Sequence, residues 1–370
     1  MAGKLKKSIN FLKTHELGDI LRFVGVDNLL RILVRSSLTL RLGEAKLRFE
    51  PDEWSFFVEL KLSIHRLKER GFSVTGEGST LVIEGYPYLM SPLVFESKTP
   101  VTKQALWTTM ELLRYCYTFG GMLSVGNHNV SDASRGLAVD TKLMVVTTSE
   151  GARFSLEGID PWTFCETFVL RIHETENLSG KIVLDIGSEA GDTPLYYAAH
   201  GARVFAVEPV SINYAAMMKN LELNPGIRDR VTPVKKAVGP NGKLRLSYQP
   251  LPNALSGGAS VYEANGTGSV NEEVDSLTVS DLLDELDLND VDVLKMDCKG
   301  CEWLLTKMDI SRVKETVKVE WTYGTCERIT SLLRLLKEEG FEPQVYLHNP
   351  CWHGKVEEHG TIVARRRRIL

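Results

Sequence analysis

The chain has 370 residues, enough to bury a substantial core and to form two domains. Its 44 Lys and Arg against 48 Asp and Glu leave a formal net charge of -4, which argues against a protein that coats nucleic acid by bulk electrostatics. Six cysteines in such a length are too sparse for a disulfide scaffold, so reduced thiols are the default expectation. No stretch has the roughly 18 apolar residues of a membrane span, and the basic start MAGKLKK develops no signal-peptide core, so a cytoplasmic location is expected.

From Ile9 to Leu33 the apolar residues fall at helical spacing, with Gly18, Gly25 and Asp27 as breakers. Phe57, Leu60, Ile64 and Leu67 predict a helix over 56–70 that Gly71 stops. SVTGEGSTLVIEGYPYLMSPLVF then predicts strands and turns, and Lys103 to Phe119 another helix. The polar loop SVGNHNVSDASRG marks a boundary, and LMVVTTSEGARFSLEG predicts a hairpin turning at Glu150 and Gly151. These segments compose an α+β domain over 1–150, expected to cap the rest or to form a homodimer.

From Lys181 short apolar strands alternate with helices: KIVLDIG, TPLYYAAHG, ARVFAVEP, SINYAAMMKNLELN, RVTPVKKAVG, SLTVSDLLDEL, VDVLKMD, VKVEW, ITSLLRLLKEEGF and QVYLHN. Such alternation predicts a doubly wound, mostly parallel sheet over 151–370, with ligands at the carboxyl ends of its strands. Asp185, Gly187, Ser188 and Gly191 form the first strand-to-helix turn, where glycines admit a ligand to the backbone. Asp185 is placed to orient that turn or to accept from an ammonium group. Glu208 ends the second strand, where a carboxylate accepts ribose hydroxyls. The dinucleotide pattern GxGxxG is broken by Glu189, an acid that would repel a pyrophosphate but suits the cationic S-adenosylmethionine (SAM).

VLDIGSEAGD, VFAVEP, SINYAAMMKNLELN, KKAVG, DSLTVSDLL and LKMDCKGCEWLL, in that order, resemble the FkbM family of SAM-dependent methyltransferases, most of all its archaeal members. The resemblance runs from about Asp160 to Val363. It implies a class I (Rossmann-like) methyltransferase fold with SAM as cofactor. It further implies that Asp185, Gly187 and Gly191 form the first SAM motif, that Glu208 with Pro209 binds the ribose, and that Ala237 and Val238 flank the adenine. LKMDCKGCE matches a strand-end signature close to KIDVEGAE, with Lys299 where the family usually has Glu. The resemblance implies methyl transfer to oxygen, on a hydroxyl of a sugar or other small polar metabolite.

Asp297 is expected beside both cofactor and acceptor, with Glu302, Glu320 and His348 as candidate proton acceptors. For Glu320 the plain alternative is a solvated strand end. Cys298 and Cys301 have the spacing of half a zinc site, and Cys326, His348, Cys351 and His353 follow later. Without a second close pair no metal is expected. The loop LPNALSGGASVYEANGTGSV is a candidate substrate reader. RRRR at 365–368 suits phosphate contact or plain solvation, and an RNA (tRNA) methyltransferase holding phosphates with the N-terminal domain and this basic tail is the alternative reading. A noncatalytic SAM-fold partner protein is the other, and the acids Asp297 and Glu302 count against it.

Overall fold

The computed structural model describes residues 37–42, 45–50, 53–77, 80–85, 93–96, 103–125, 136–248, 270–322, 324–346 and 359–367. The helical spacing over 9–33, the loop LPNALSGGASVYEANGTGS, His348, Cys351, His353 and Arg368 lie outside the described residues. The chain divides into two compact units, 1–172 and 173–370.

In the first unit β1 (Leu38–Leu42) pairs with β2 (Ala45–Phe49), and α1 (Trp54–Glu69) follows. β3 (Ser73–Glu77), β4 (Thr80–Glu84) and β5 (Leu93–Glu96) form a three-stranded antiparallel sheet. α2 (Lys103–Phe119) leads into a four-stranded sheet of β6 (Met122–Val125), β7 (Gly136–Asp140), β8 (Val145–Thr148) and β9 (Arg153–Ser155). β8 and β9 make the expected hairpin, with Gly151 at φ +82°. α3 (Pro161–Cys165) starts on the Asp160 cap, and a π-helical turn, Glu166–Leu170, ends the unit. The division thus falls beyond the expected 150, because Tyr115 and Phe119 of α2 stack on Trp162 and hold α3 with the first unit.

The second unit begins with β10 (Ile182–Ile186), α4 (Asp192–Ala199), β11 (Arg203–Val207), α5 (Ser211–Glu222), α6 (Pro225–Arg228) and β12 (Val231–Val234). A short β13 (Ala237–Val238) joins β14 (Gly242–Tyr248) and β15 (Val270–Leu277) in a small separate sheet. Then come α7 (Val279–Glu285), β16 (Val291–Met296), a 3-10 turn at Cys301–Leu304, α8 (Lys307–Ser311), β17 (Val313–Thr322), α9 (Cys326–Glu338), β18 (Phe341–Tyr346) and β19 (His359–Arg366).

The main sheet has seven strands in the order β12-β11-β10-β16-β17-β19-β18. β10, β11, β12, β16 and β17 are parallel to their neighbours, while β19 enters antiparallel between β17 and β18. The doubly wound sheet expected from the sequence is therefore present. Leu184, Val207, Leu294, Val317 and Ile362 are buried on these strands, so near-continuous apolar runs replace alternation, as a sheet covered on both faces requires. The β14–β15 hairpin and β19 are strands that the βα reading of the sequence does not contain. In β14 only the end Leu246–Tyr248 is buried while Gly242, Lys243 and Arg245 are exposed, so neither alternation nor an apolar run marks the strand, and the VNEEVDSL opposite it is largely polar.

Candidate active site

The parallel strands end together, and the residues just past those ends make the site. β10 runs into a turn in which Gly187 has φ +80° and Gly191 φ +88°. A Cβ on Gly187 would lie 1.8 Å from the backbone carbonyl oxygen of Asp297, so the β10 and β16 ends approach as closely as bare backbones can. The Asp297 amide donates to Ile186 O at 2.9 Å and locks that approach. The Ser188 hydroxyl is spent inside the turn, donating to Asp185 O at 2.9 Å, and the Ser188 amide donates to Val207 O.

Asp185 is fully buried. Thr193 donates to its Oδ2 at 2.5 Å, and the Lys295 ammonium lies 3.0 Å from its Oδ1. Lys295 also donates to Gly187 O at 2.8 Å, so one buried cation ties the turn to β16. Burial opposes the charge on Lys295, but Asp185, Asp297 and Asp192 outweigh it and raise its pKa above the ordinary lysine value. Burial pushes Asp185 up as well, yet the ammonium at 3.0 Å makes the charged pair the form that persists. Lys295 falls inside the LKMDCKGCE match but receives no role from the motif reading. Its signal was a lysine inside the apolar strand VDVLKM, where a charge must find a partner.

Glu208 stands directly after β11 and is 4% exposed. Its Oε2 accepts from the Glu189 amide and its Oε1 from the Val210 amide, both at 2.9 Å, with Asn213 Nδ2 at 3.4 Å from Oε1. Burial pushes this carboxyl up to about 7, against those donors. Oε1 already meets two donors, whereas Oε2 keeps a second lone pair for one further hydroxyl donor. Pro209 is half-buried behind it. Ala237 and Val238 are buried in the small sheet, and Val238 shares a core with Ile186, Val207 and Met296.

Past β16 the Lys299 ammonium lies 2.6 Å from Asp297 and 3.3 Å from Glu320 on β17. The three form one polar chain across neighbouring strand ends. Glu302 follows a different course: it is fully buried, its Oε2 accepts from the Gly300 amide at 2.7 Å and meets Cys298 Sγ at 3.5 Å. Its Oε1 has no hydrogen-bond partner among the described residues. Burial pushes Glu302 up to about 7, against the Gly300 donor. Glu302 also lines a cavity of about 590 Å³ together with Trp303, Thr325, Arg328 and Leu332. Cys298 and Cys301 are joined by a disulfide, which replaces the expected reduced thiols at this turn. The spacing that suggested half a metal site is the spacing that lets a tight turn close on itself.

Residues 185–343 match the family model for the methyltransferase FkbM domain. The second unit carries an FkbM methyltransferase domain. SAM is the expected cofactor of such a domain, and the fold is the class I, Rossmann-like methyltransferase fold that the order of the seven strands describes. No curated protein matches the chain in sequence. Similar solved structures include a precorrin-6y C5,15-methyltransferase from Geobacter metallireducens GS-15, at 15% identity over 51% of this chain and 82% of that one, TM-score 0.31. They also include M. jannaschii TYW2 in complex with AdoMet, at 13% identity over 64% and 87%, TM-score 0.36. An rRNA methylase from Streptococcus thermophilus matches at 9% identity over 51% and 89%, TM-score 0.33.

The residues of the FkbM domain fit that cofactor. The Gly187 turn has no room for a side chain, and Glu208 is a buried carboxylate with acceptor capacity left.

Proposed function

We propose that this methyltransferase acts on a hydroxyl oxygen of a sugar or other small polar metabolite. The observation that carries the reading is the polar chain Asp297–Lys299–Glu320 beside the glycine turn, with the buried carboxyl of Glu302 close by. When bound, SAM supplies an electrophilic methyl group. The chain does the rest: Asp185, Lys295 and Gly187 hold the turn, and Glu208 Oε2 accepts from a ribose hydroxyl. Asp297, steadied by Lys299, orients the acceptor hydroxyl. Glu302 receives the proton, since a carboxyl near 7 with an unmatched oxygen is suited to general-base work, and Glu320 is its understudy. Positioning of the hydroxyl in line with the methyl supplies much of the rate.

The RNA alternative rests on the N-terminal domain and the terminal arginines, and the surroundings of the arginines do not favour it. Arg366 donates to Glu339 O and Val313 O and lies over the Phe341 ring, so its guanidinium holds the end of the sheet. Thr316 pairs with Arg365 and Thr322 with His359, which puts these arginines at the edge opposite the strand ends that carry Asp297 and Glu320.

Labelled SAM offered to separate pools of sugars, lipids and RNA from the source cell tests the acceptor class: transfer confined to RNA, falling steeply with salt, would replace the proposal. Once an acceptor is in hand, Asp297→Asn should lower the single-turnover rate by roughly two orders of magnitude with SAM affinity little changed. Rates within a few-fold of wild type for Asp297→Asn and Glu302→Gln together would make both residues structural. For the first unit, a cap or a homodimer interface is the reading carried forward, in a cytoplasmic protein. Deletion of residues 1–140 without loss of solubility, oligomeric state or activity would end it.

A further inference from the structure

The turn between β16 and the 3-10 segment holds chemistry that methyl transfer does not use. Cys298 and Cys301 are bonded to each other and enclose only Lys299 and Gly300, both with positive φ, +52° and +139°. Cys298 is half-buried and Cys301 is 7% exposed, so an incoming thiol meets Cys298 first. Glu302 is fully buried with Oε2 at 3.5 Å from Cys298 Sγ. The enclosed Lys299 holds Asp297 and Glu320. A disulfide, a buried carboxyl on one of its sulfurs and a cation shared with the catalytic edge therefore occupy one turn.

We propose that Cys298–Cys301 is a reversible disulfide exchanged by an external dithiol, that Glu302 carries the proton for Cys298, and that reduction loosens the turn holding Lys299. In the reductive direction a thiolate of the dithiol attacks Cys298 Sγ, forming a mixed disulfide and releasing Cys301 as a thiolate, which takes up the proton that the attacking thiol has lost. The second thiol of the dithiol then attacks its own sulfur in the mixed disulfide. Cys298 leaves as a thiolate and is protonated by the Glu302 carboxyl, which regains a proton from the one shed by that second thiol. Two electrons and two protons pass from the dithiol to the pair, and the dithiol becomes a cyclic disulfide. The attack needs the thiolate form, and a leaving thiolate inside a protein needs a nearby acid. A carboxyl that burial holds near 7 can both give and take that proton at neutral pH. Oxidation runs the same steps in reverse.

The inference stands apart from the methyl acceptor, because its readout is thiol state. The full chain is equilibrated with mixtures of reduced and oxidised glutathione, quenched with iodoacetamide and digested for mass spectrometry. We expect Cys298 and Cys301 to lose alkylation together as the mixture becomes oxidising, while the exposed Cys326 forms no such pair. Alkylation of both cysteines in fully oxidised glutathione would overturn the proposal. So would a disulfide that dithiothreitol opens only after denaturation, or about one zinc per chain that disappears with Cys298→Ser. Glu302→Gln should slow native-state reduction by dithiothreitol roughly tenfold, and Glu302→Asp should restore part of the rate; equal rates for all three would remove Glu302 from the exchange. Amide hydrogen exchange over 297–303 should rise on reduction, and unchanged exchange would sever the link between the pair and the site. Should the Glu302 variants fail to fold, the wild-type alkylation and exchange measurements still decide the matter.

Discussion

Glu302 and Glu208 are both held near 7 by burial against an ordinary value of 4.5. In that interval the folded chain keeps protons that the unfolded chain has already released, so stability falls as pH rises from about 4.5 to about 7. Each group contributes on the order of 1–3 kcal/mol to that fall. Glu302→Gln mimics the protonated form, so its thermal midpoint should match wild type near pH 4.5 and exceed it by a few degrees at pH 8, read by circular dichroism. Lys318 acts with the opposite sign in a higher window. Burial lowers it to about 7 from 10.5, so the unfolded chain binds the extra proton there and stability rises as pH climbs between those values. Gly187 gives a sharper expectation. With φ +80° and a Cβ position 1.8 Å from the Asp297 carbonyl oxygen, Gly187→Ala must push β10 and β16 apart. It should cost about 2–4 kcal/mol in urea unfolding and abolish SAM binding in titration calorimetry. Glu208→Ala, by contrast, should fold and lose roughly 1–3 kcal/mol of SAM affinity, the worth of its hydrogen bond to the ribose.

The helices that frame the strand ends are positioned by caps. Thr306 and Asp309 make a capping box at α8, and Asp309 reaches further, its Oδ1 accepting from the Ser280 amide at 2.9 Å and the Ser280 hydroxyl at 2.6 Å. One buried carboxylate thus joins α7 to α8. Asp309→Ala should lower stability by about 2–4 kcal/mol while leaving SAM affinity within a few-fold, a separation that denaturant melts and calorimetry can read. β16 shows how an element divides its tasks. Val291, Val293 and Leu294 fill the core, Lys295 is turned to Asp185, and Asp297 leaves the sheet edge as the strand stops. β17 repeats the arrangement with Val317, Val319 and Trp321 buried and Glu320 meeting Lys299. The charged residues in these strands are tolerated because each is matched to a partner, Lys318 to the carbonyl of Glu174 at 2.6 Å.

The chain divides into two compact units, and Asp185, Gly187, Glu208 and Asp297 all belong to the second. Calorimetry of the full chain should therefore show two transitions, with SAM raising one of them alone. At about 100 times the dissociation constant that shift corresponds to ~2.7 kcal/mol. A single transition moved as a whole would mean that the units unfold together. A net -4 is near balance; Arg366 of β19 holds the end of the sheet, and Arg367 just past it pairs with Glu342.

The alternation of short apolar runs with helices over 181–346 already specified a doubly wound sheet, because strands buried on both faces are written as continuous Val, Ile and Leu, a local property of the chain. The glycines of the first turn, Glu208 after the second strand and Asp297 after VDVLKM were legible for the same reason: each is fixed by its distance along the chain from a strand end. Pairings between residues far apart in sequence were not. That Lys295 answers Asp185 and that Lys299 reaches across to Glu320 follow from the lateral order β10-β16-β17, which no local pattern encodes. The same holds for β19, whose TIVARR is an ordinary strand until β17 and β18 supply an edge on each side. Periodicity is a one-dimensional signal, and the burial that raises a carboxyl to about 7 arises only when separate strands are brought side by side.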